Sequence, residues 1–560
     1  MDSKHLAFVA AAAVAGACAP QPPAGPLPLS AMPALDMTRV LTDIRNLSSD
    51  EFGGRGPGSP GETLTVNYLI ERFKANGAEP GNPDGTWVQK VPLVGITPTH
   101  VSPLVVTKGG RTLSFKPRDE VVAFSRRVTE KINLDASELV FVGYGVQAPE
   151  YQWDDFKGVD VKGKTLVVLV SDPPVPLDPA KPDELDPNVF NGRAMTYYGR
   201  WTYKFEKAAA LGAAGVLLVH ETGPAGYPFS VVQGFGGEGF DLITPDRNMG
   251  RAAAESWISV EAATKLLAFT GHDFQTLKAA AKTRAFAPVA LGATASISFT
   301  QTLREIDSQN VIAKIPGSDP VLKDEYVAYT AHWDHLGTDT ATATSGDRIY
   351  NGARDNASGI AMLLEFTRAF KAITPAPKRT MLLIAVTAEE SGLLGSGYYA
   401  KFPLYSLKKT LAEINMDEIN VWGRTTDFTV IGLGASDLDT YVRDAAAEQG
   451  RVIRPDSEPE KGYYYRSDHF PFAKVGVPAL STDSGVQFVG RPATYGQEKR
   501  DEWTEKYYHQ PSDQVQDWWD LSGAAEDCAL LFAVGYRVAN AATYPAWSVG
   551  NEFRAIREAK

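Results

Sequence analysis

A chain of 560 residues with 44% apolar and 22% charged content has an ordinary globular composition and is too long for one hydrophobic core, so it predicts two or three domains. A formal charge of -12 without an offsetting basic patch argues against nucleic acid as a partner. No apolar run beyond the N-terminus is long enough and free enough of charge to span a bilayer, which predicts a soluble or merely anchored chain.

Residues 1–18 read as a targeting segment: Lys4 in a short polar start, a small and apolar run over 6–17, then Cys18. Ala15-Gly16-Ala17-Cys18 resembles a bacterial lipoprotein processing box, in which the cysteine is acylated and begins the mature chain. It departs from that pattern in carrying Ala15 where a larger aliphatic residue is usual, and plain secretory cleavage is the competing reading. Either way the expectation is export, to the periplasm or the outer membrane or beyond, with any membrane contact made through an N-terminal lipid. The proline-rich stretch 19–35 reads as a flexible or extended tether. Cys18 and Cys528 are the only cysteines, and the apolar surroundings of Cys528 mark it as a buried thiol, so no disulfide framework is expected.

From residue 36 a turn-rich segment, 52–58, leads into a predicted helix over 63–76 with Val66, Leu69 and Phe73 on one face. Residues 135–296 then carry strand signals of their own at 139–146, 165–170 and 215–220, and a helix over 203–211 ended by Gly212. This insert offers no nucleophile or metal set and reads as a lid, a substrate-selecting wall or a docking module; His220 within it is a strand-end residue. After 310 strands and helices alternate, the pattern of a doubly wound, largely parallel α/β sheet.

The chemistry concentrates at strand ends in that last stretch. The apolar run 326–330 surfaces at Ala331-His332-Trp333-Asp334-His335, where alternation sends His332 and Asp334 to one face and His335 to the other. Asp355 follows the polar loop 345–352 and precedes a helix containing Ile360, Leu363, Leu364 and Phe370, with Asn356 or Ser358 able to cap it. The uninterrupted apolar run 381–386 reads as a strand buried on both faces, closed by Glu389 and Glu390. Adjacent acids there resist desolvation unless a cation or protons intervene, and their diverging side chains separate a ligand role from a general-base role. Downstream, 411–416 ends in Asp417, and His509 precedes the turn-forming Pro511. Each motif alone also reads as an ordinary polar loop. Together they supply two histidines and three carboxylates, a nitrogen and oxygen donor set that favours zinc and admits manganese or cobalt.

The ordered set AHWDH, GARDNASG, TAEESG, INMDEIN and YYHQPSD resembles the di-zinc peptidase family that includes bacterial leucyl aminopeptidases, glutamate carboxypeptidase II and the non-catalytic transferrin receptor. The resemblance implies two zinc ions per chain, one held by His332, Asp355 and Asp417, the other by Asp355, Glu390 and His509. It further implies Glu389 as general base, Asp334 as the acid orienting His332, and Tyr508 as an oxyanion donor. The segment Tyr465-Arg466-Ser467-Asp468-His469 resembles the family's substrate-cleft lining, which makes Arg466, Ser467, Asp468 and His469 candidate substrate-binding residues. The insert looks like the protease-associated domain of some members, giving boundaries of 36–134 with 297–550 for the peptidase and 135–296 for the insert.

The implied activity is a metallo-aminopeptidase acting on peptides. A carboxypeptidase of the same fold needs a cation for the substrate carboxylate, for which Arg354, Arg466 and Lys474 are candidates; an aminopeptidase needs acceptors for the ammonium, for which Glu389, Glu418 and Asp468 are available. A glutaminyl-cyclase-like transferase would bind one metal ion, and a non-catalytic receptor would show broken ligand positions. The sequence carries no signal of oligomeric state.

Overall fold

The computed structural model describes residues 26–234, 238–339 and 346–559; the targeting segment and Cys18 lie outside the described residues. Two units share one long strand. In the first, eight strands, β1 (Val88–Thr99), β2 (Val289–Ile315), β3 (Tyr326–His332), β4 (Thr380–Val386), β5 (Thr410–Asn415), β6 (Asp427–Ile431), β7 (Val452–Pro455) and β8 (Ala479–Asp483), lie in the order β1-β2-β4-β3-β5-β8-β6-β7. The middle four, β4, β3, β5 and β8, run parallel. Every residue of β4 and β5 is buried, as a strand covered on both faces requires.

The cover comes from α1 (Met37–Leu47), α2 (Pro60–Ala75), α3 (Ser358–Ala372), α4 (Leu394–Lys401), α5 (Leu438–Glu448), α6 (His469–Lys474) and α7 (Ser522–Asn540). Strand alternation sorts the contacts: Tyr329, Ala331, Leu383 and Ala385 share a core with α1, α2, α3, α5 and α7, while Ala328, Leu382 and Ile384 share the opposite one with α4 and α6. The expected helix over 63–76 is α2, begun by Pro60 at its first turn and burying Val66, Leu69 and Phe73. Gly535 lets α7 lie directly on β3, because a Cβ there would come within 2.0 Å of the Tyr329 hydroxyl. That hydroxyl donates to the Leu531 carbonyl at 2.7 Å.

The second unit has its own parallel core, with Gly215–His220 between Thr165–Leu169 and Ala254–Ser259. The strand expected over 139–146 is the end of Lys131–Phe141, and the helix expected over 203–211 is Trp201–Ala210. His220 is enclosed by the rings of Tyr227, Phe229 and Trp257.

Three expected boundaries move. Leu104, Val106, Phe115, Val121, Ile132 and Leu134 are buried with the insert's core, so the insert begins near 104 rather than 135. The expected second boundary at 297 falls inside β2, whose first half pairs with Lys131–Phe141 and whose second half pairs with β1 and β4. Phe553 packs with Trp547 and Phe470, carrying the first unit past 550. The described part of the expected tether is docked: Leu27, Leu29, Met32 and Leu35 pack on the first unit's core, and the Leu29 amide donates to Glu448 at 2.8 Å. Apolar residues spaced between the prolines gave that stretch something to bury. Among the described residues, no helix is long and apolar enough to cross a membrane.

Candidate metal centre and active site

Parallel register explains why distant motifs meet. His332 ends β3 level with Val386 of β4, and Thr330 lies beside Asn415 of β5, so the loops carrying Glu389–Glu390 and Asp417 flank His332 on either side. Ala388, Glu418 and His509 take left-handed backbone conformations, with φ of 51°, 63° and 56°, and turn the chain beside each acid or ligand. Non-glycine residues held there cost about 1–3 kcal/mol each and cluster at functional sites.

The five side chains expected to hold metal converge. His332 Nε2 lies 3.2 Å from Asp417 Oδ1 and 3.4 Å from Asp355 Oδ1; His509 Nε2 lies 3.3 Å from Asp355 Oδ2 and 3.1 Å from Glu390 Oε2. Asp355 thus presents one oxygen to each histidine. Its loop is fixed from three sides. The Asp513 carboxylate accepts the amides of Arg354 and Asp355 at 2.9 and 3.0 Å. Asn356 caps α3 through the Gly359 amide at 2.9 Å. The buried Arg55 guanidinium donates to the carbonyls of Leu47, Trp333, Asn351 and Gly352 at 2.6–2.8 Å. Gly352, at φ 55°, has no room for a side chain, since a Cβ would meet the Asp355 carbonyl at 2.3 Å and the His335 ring at 2.6 Å.

Three expected roles need correction. Asp334 orients His332 through its main-chain carbonyl, which accepts from Nδ1 at 3.1 Å; its carboxylate stands 3.9 Å away and accepts the Glu389 amide at 3.1 Å instead. Asp468, expected to face substrate, is fully buried, and so is His469, whose expected role was substrate-facing or structural. Asp468 accepts from Ser396 at 2.5 Å, and both ring nitrogens of His469 are without a hydrogen-bond partner. Arg354 is unavailable to substrate, because it pairs with Glu418 at 2.8 Å and lies 4.6 Å from the rings of both Trp422 and Trp503. Ser467 turns to the centre itself and donates to Asp417, while Asn415 donates to Ser467 at 2.6 Å.

His335 is a residue that strand alternation sent to the wrong side. β3 stops at His332, so the alternation lapses, and His335 turns back to donate from Nδ1 to Glu390 Oε1 at 2.5 Å. The closely spaced pair His332 and His335 was the available signal. Tyr508 stacks on His509 with ring centroids 3.9 Å apart and keeps its phenol at the cavity wall.

The acids are in excess. No lysine or arginine among the described residues forms an ion pair with Asp355, Glu389, Glu390 or Asp417; Arg55 is near, but its hydrogen bonds go to main-chain carbonyls. Burial works against charge on both ligand histidines, yet the acids overcome it: Glu389, Asp417 and Asp355 raise His332 well above its ordinary value, and Glu390 and Asp355 raise His509 to about 11. Burial, reinforced by Glu390 against the opposing charge of His332, pushes Glu389 well above the carboxylate range. Because Nδ1 of His332 donates to a carbonyl, Nε2 is the ring nitrogen aimed at the carboxylate oxygens, where either a proton or a divalent cation satisfies it. The donors His332, Asp355 and Asp417 lie within 4.8 Å of one another, and this set fits zinc.

The centre opens into a cavity of about 1170 Å³ between the two units, lined on one side by Glu389, Glu390, Tyr508 and His509 and on the other by Tyr197, Arg200 and Tyr227 of the insert.

Residues 310–533 match the family model described as peptidase family M28. Among curated proteins, the chain is 30% identical over 212 residues to aminopeptidase YwaD of Bacillus subtilis, covering 37% of this chain and 40% of that one. It is 27% identical over 268 residues to leupeptin-inactivating enzyme 1 of Streptomyces exfoliatus, covering 45% and 52%. The matches thus span about half or less of these relatives' length. A solved aminopeptidase from Aneurinibacillus sp. strain AM-1 aligns over 90% of this chain and 94% of its own with 20% identity and a TM-score of 0.48. The stretch of the chain that assembles the metal centre thus lies within the part that matches peptidase family M28.

Proposed function

We propose that this chain is a zinc-dependent exopeptidase of the aminopeptidase type, removing N-terminal residues from peptides. The observation that carries the reading is one carboxylate, Asp355, shared between two histidines, each of which has a second acid beside it, next to the Glu389 carboxylate, which stands 3.9 Å from His332 at the cavity wall. His332, Asp355 and Asp417 would hold one ion and Asp355, Glu390 and His509 the other. When bound, two zinc ions, or manganese or cobalt in their place, would polarise the scissile carbonyl and acidify water.

The chain's own residues supply the proton path. Glu389 takes a proton from the attacking water and returns it to the leaving amine, a task suited to a carboxylate whose burial raises its proton affinity. The Tyr508 phenol, kept protonated by partial desolvation at the cavity wall and by the nearby Asp355 and Glu390, donates to the developing oxyanion of the substrate. Ser467 and His335 position Asp417 and Glu390. The names of the relatives support the amino-terminal direction. On the same reading the insert, a protease-associated domain, forms the far wall of the substrate cavity, and residues 1–18 direct export, with Cys18 as the lipid attachment point.

Aminoacyl anilides assayed beside N-blocked dipeptides with free C-termini test the direction. The free-amine substrates should turn over and the blocked ones run at least about 100-fold slower. The reverse order would make the chain a carboxypeptidase.

A further inference from the structure

The cavity gathers cations from both units, and several of them have an acid. Arg304 pairs with Glu238 at 2.9 Å, Arg126 with Asp241 at 3.4 Å, Arg251 with Glu255 at 3.2 Å, and Lys474 with Glu206 at 3.1 Å. Arg200 and Arg466 differ. Arg200 follows the turn Tyr197–Gly199 of the insert, and Arg466 follows the turn Tyr463–Tyr465 of the peptidase unit. Both line the cavity and are half-buried. Among the described residues neither forms an ion pair, and the buried Nε of each has no hydrogen-bond partner. The Arg466 guanidinium lies over the Tyr463 ring, 5.3 Å from its centroid. Both guanidiniums and the Tyr227 ring line this one cavity, where burial and then the like charge of Arg466 lower Arg200 to about 10.

Two half-buried guanidiniums that repel one another and lack acids add nothing to folding stability. Their planar forks match a carboxylate bidentately, and an anion shared between them relieves both the repulsion and the lost hydration. The place is specific. Arg466 directly precedes Ser467, which holds Asp417, and the cavity that contains both arginines is also walled by Glu389 and Tyr508. A molecule with its peptide bond at Glu389 and an anionic group on the arginines occupies one continuous space.

We propose that Arg200 and Arg466, one from each unit, form a carboxylate subsite that selects peptides bearing a carboxylate near the scissile bond. That carboxylate is either an acidic side chain or the free C-terminus of a short peptide. The inference rests on the peptidase reading and names the substrate class for that same site.

The test uses the metal-loaded full chain and three matched pairs of peptides: an N-terminal glutamate against glutamine, a glutamate against glutamine in second place, and a dipeptide acid against its amide. At least one pair should favour the anionic member by about tenfold or more in kcat/KM, and the pair that does so identifies the source of the carboxylate. Arg200→Met and Arg466→Met should each bring that ratio close to one, and Arg200→Lys and Arg466→Lys should restore part of it, which a misfolded variant would not do. Equal rates within every pair in the wild type, or a preference surviving in both methionine variants, overturns the subsite while leaving the peptidase reading in place. If no peptide is cleaved, the peptidase reading fails and calorimetric titration with glutarate decides the subsite separately. Binding weakened about tenfold or more by each methionine variant supports it, and affinity equal to the wild type in both overturns it.

Discussion

Glu389→Gln is expected to lower kcat by about 10²–10⁴-fold while the chain keeps its full complement of metal. The glutamine retains the size of the side chain and the main-chain amide that donates to Asp334 at 3.1 Å, so the loop after β4 has no reason to move. The neighbouring Glu390 keeps its contacts with His509 and His335. Only the proton acceptor is lost. Metal analysis of the purified variant beside steady-state kinetics separates the outcomes: a variant that loses metal and activity together would make Glu389 a ligand, and one that stays near the wild-type rate would remove it from the proton path.

Arg55→Met is expected to destabilise the peptidase unit by about 4 kcal/mol or more. The guanidinium is 1% exposed and satisfies carbonyls from three segments, the end of α1, the loop after β3 and the loop before Asp355. Methionine fills the space but takes the donor from the buried carbonyls of Leu47, Trp333 and Asn351, at about 1–3 kcal/mol each, while Gly352 keeps the Ala357 amide at 3.1 Å. Because two of the three segments carry His332 and Asp355, metal affinity should fall together with the thermal midpoint. Calorimetric melting of metal-free and metal-loaded protein checks both. A variant melting with the wild type in both states would show that the three segments are held by other contacts.

Much of the site was legible because its signals are local. The run 381–386 announced a buried strand, two acids followed it, and parallel strands align whatever follows them. What escaped the sequence depends on long-range partners. Arg55 reaches Trp333, Asn351 and Gly352 across 278, 296 and 297 residues, and its local neighbours, glycines on either side, suggested only a turn. Arg200 lies in the insert and meets the active-site cavity only because the units face one another. Asp334 was misread because a carbonyl and a carboxylate two residues from a histidine are equally placed in sequence, and the backbone path after β3 decided between them. The insert's start was set too late because the short strands Leu104–Lys108 and Arg111–Phe115 form a hairpin whose core partners lie beyond residue 130. The second boundary had no sequence signal at all, since a continuous strand crosses it.

On the function proposed above, five side chains from separate loops would hold a pair of zinc ions through a shared Asp355. Anomalous diffraction at the zinc edge, from crystals of the zinc-loaded chain, measures this directly. Two peaks are predicted, one contacted by His332, Asp355 and Asp417 and the other by Asp355, Glu390 and His509; a single peak, or a second one bound by His335 in place of His509, would contradict it.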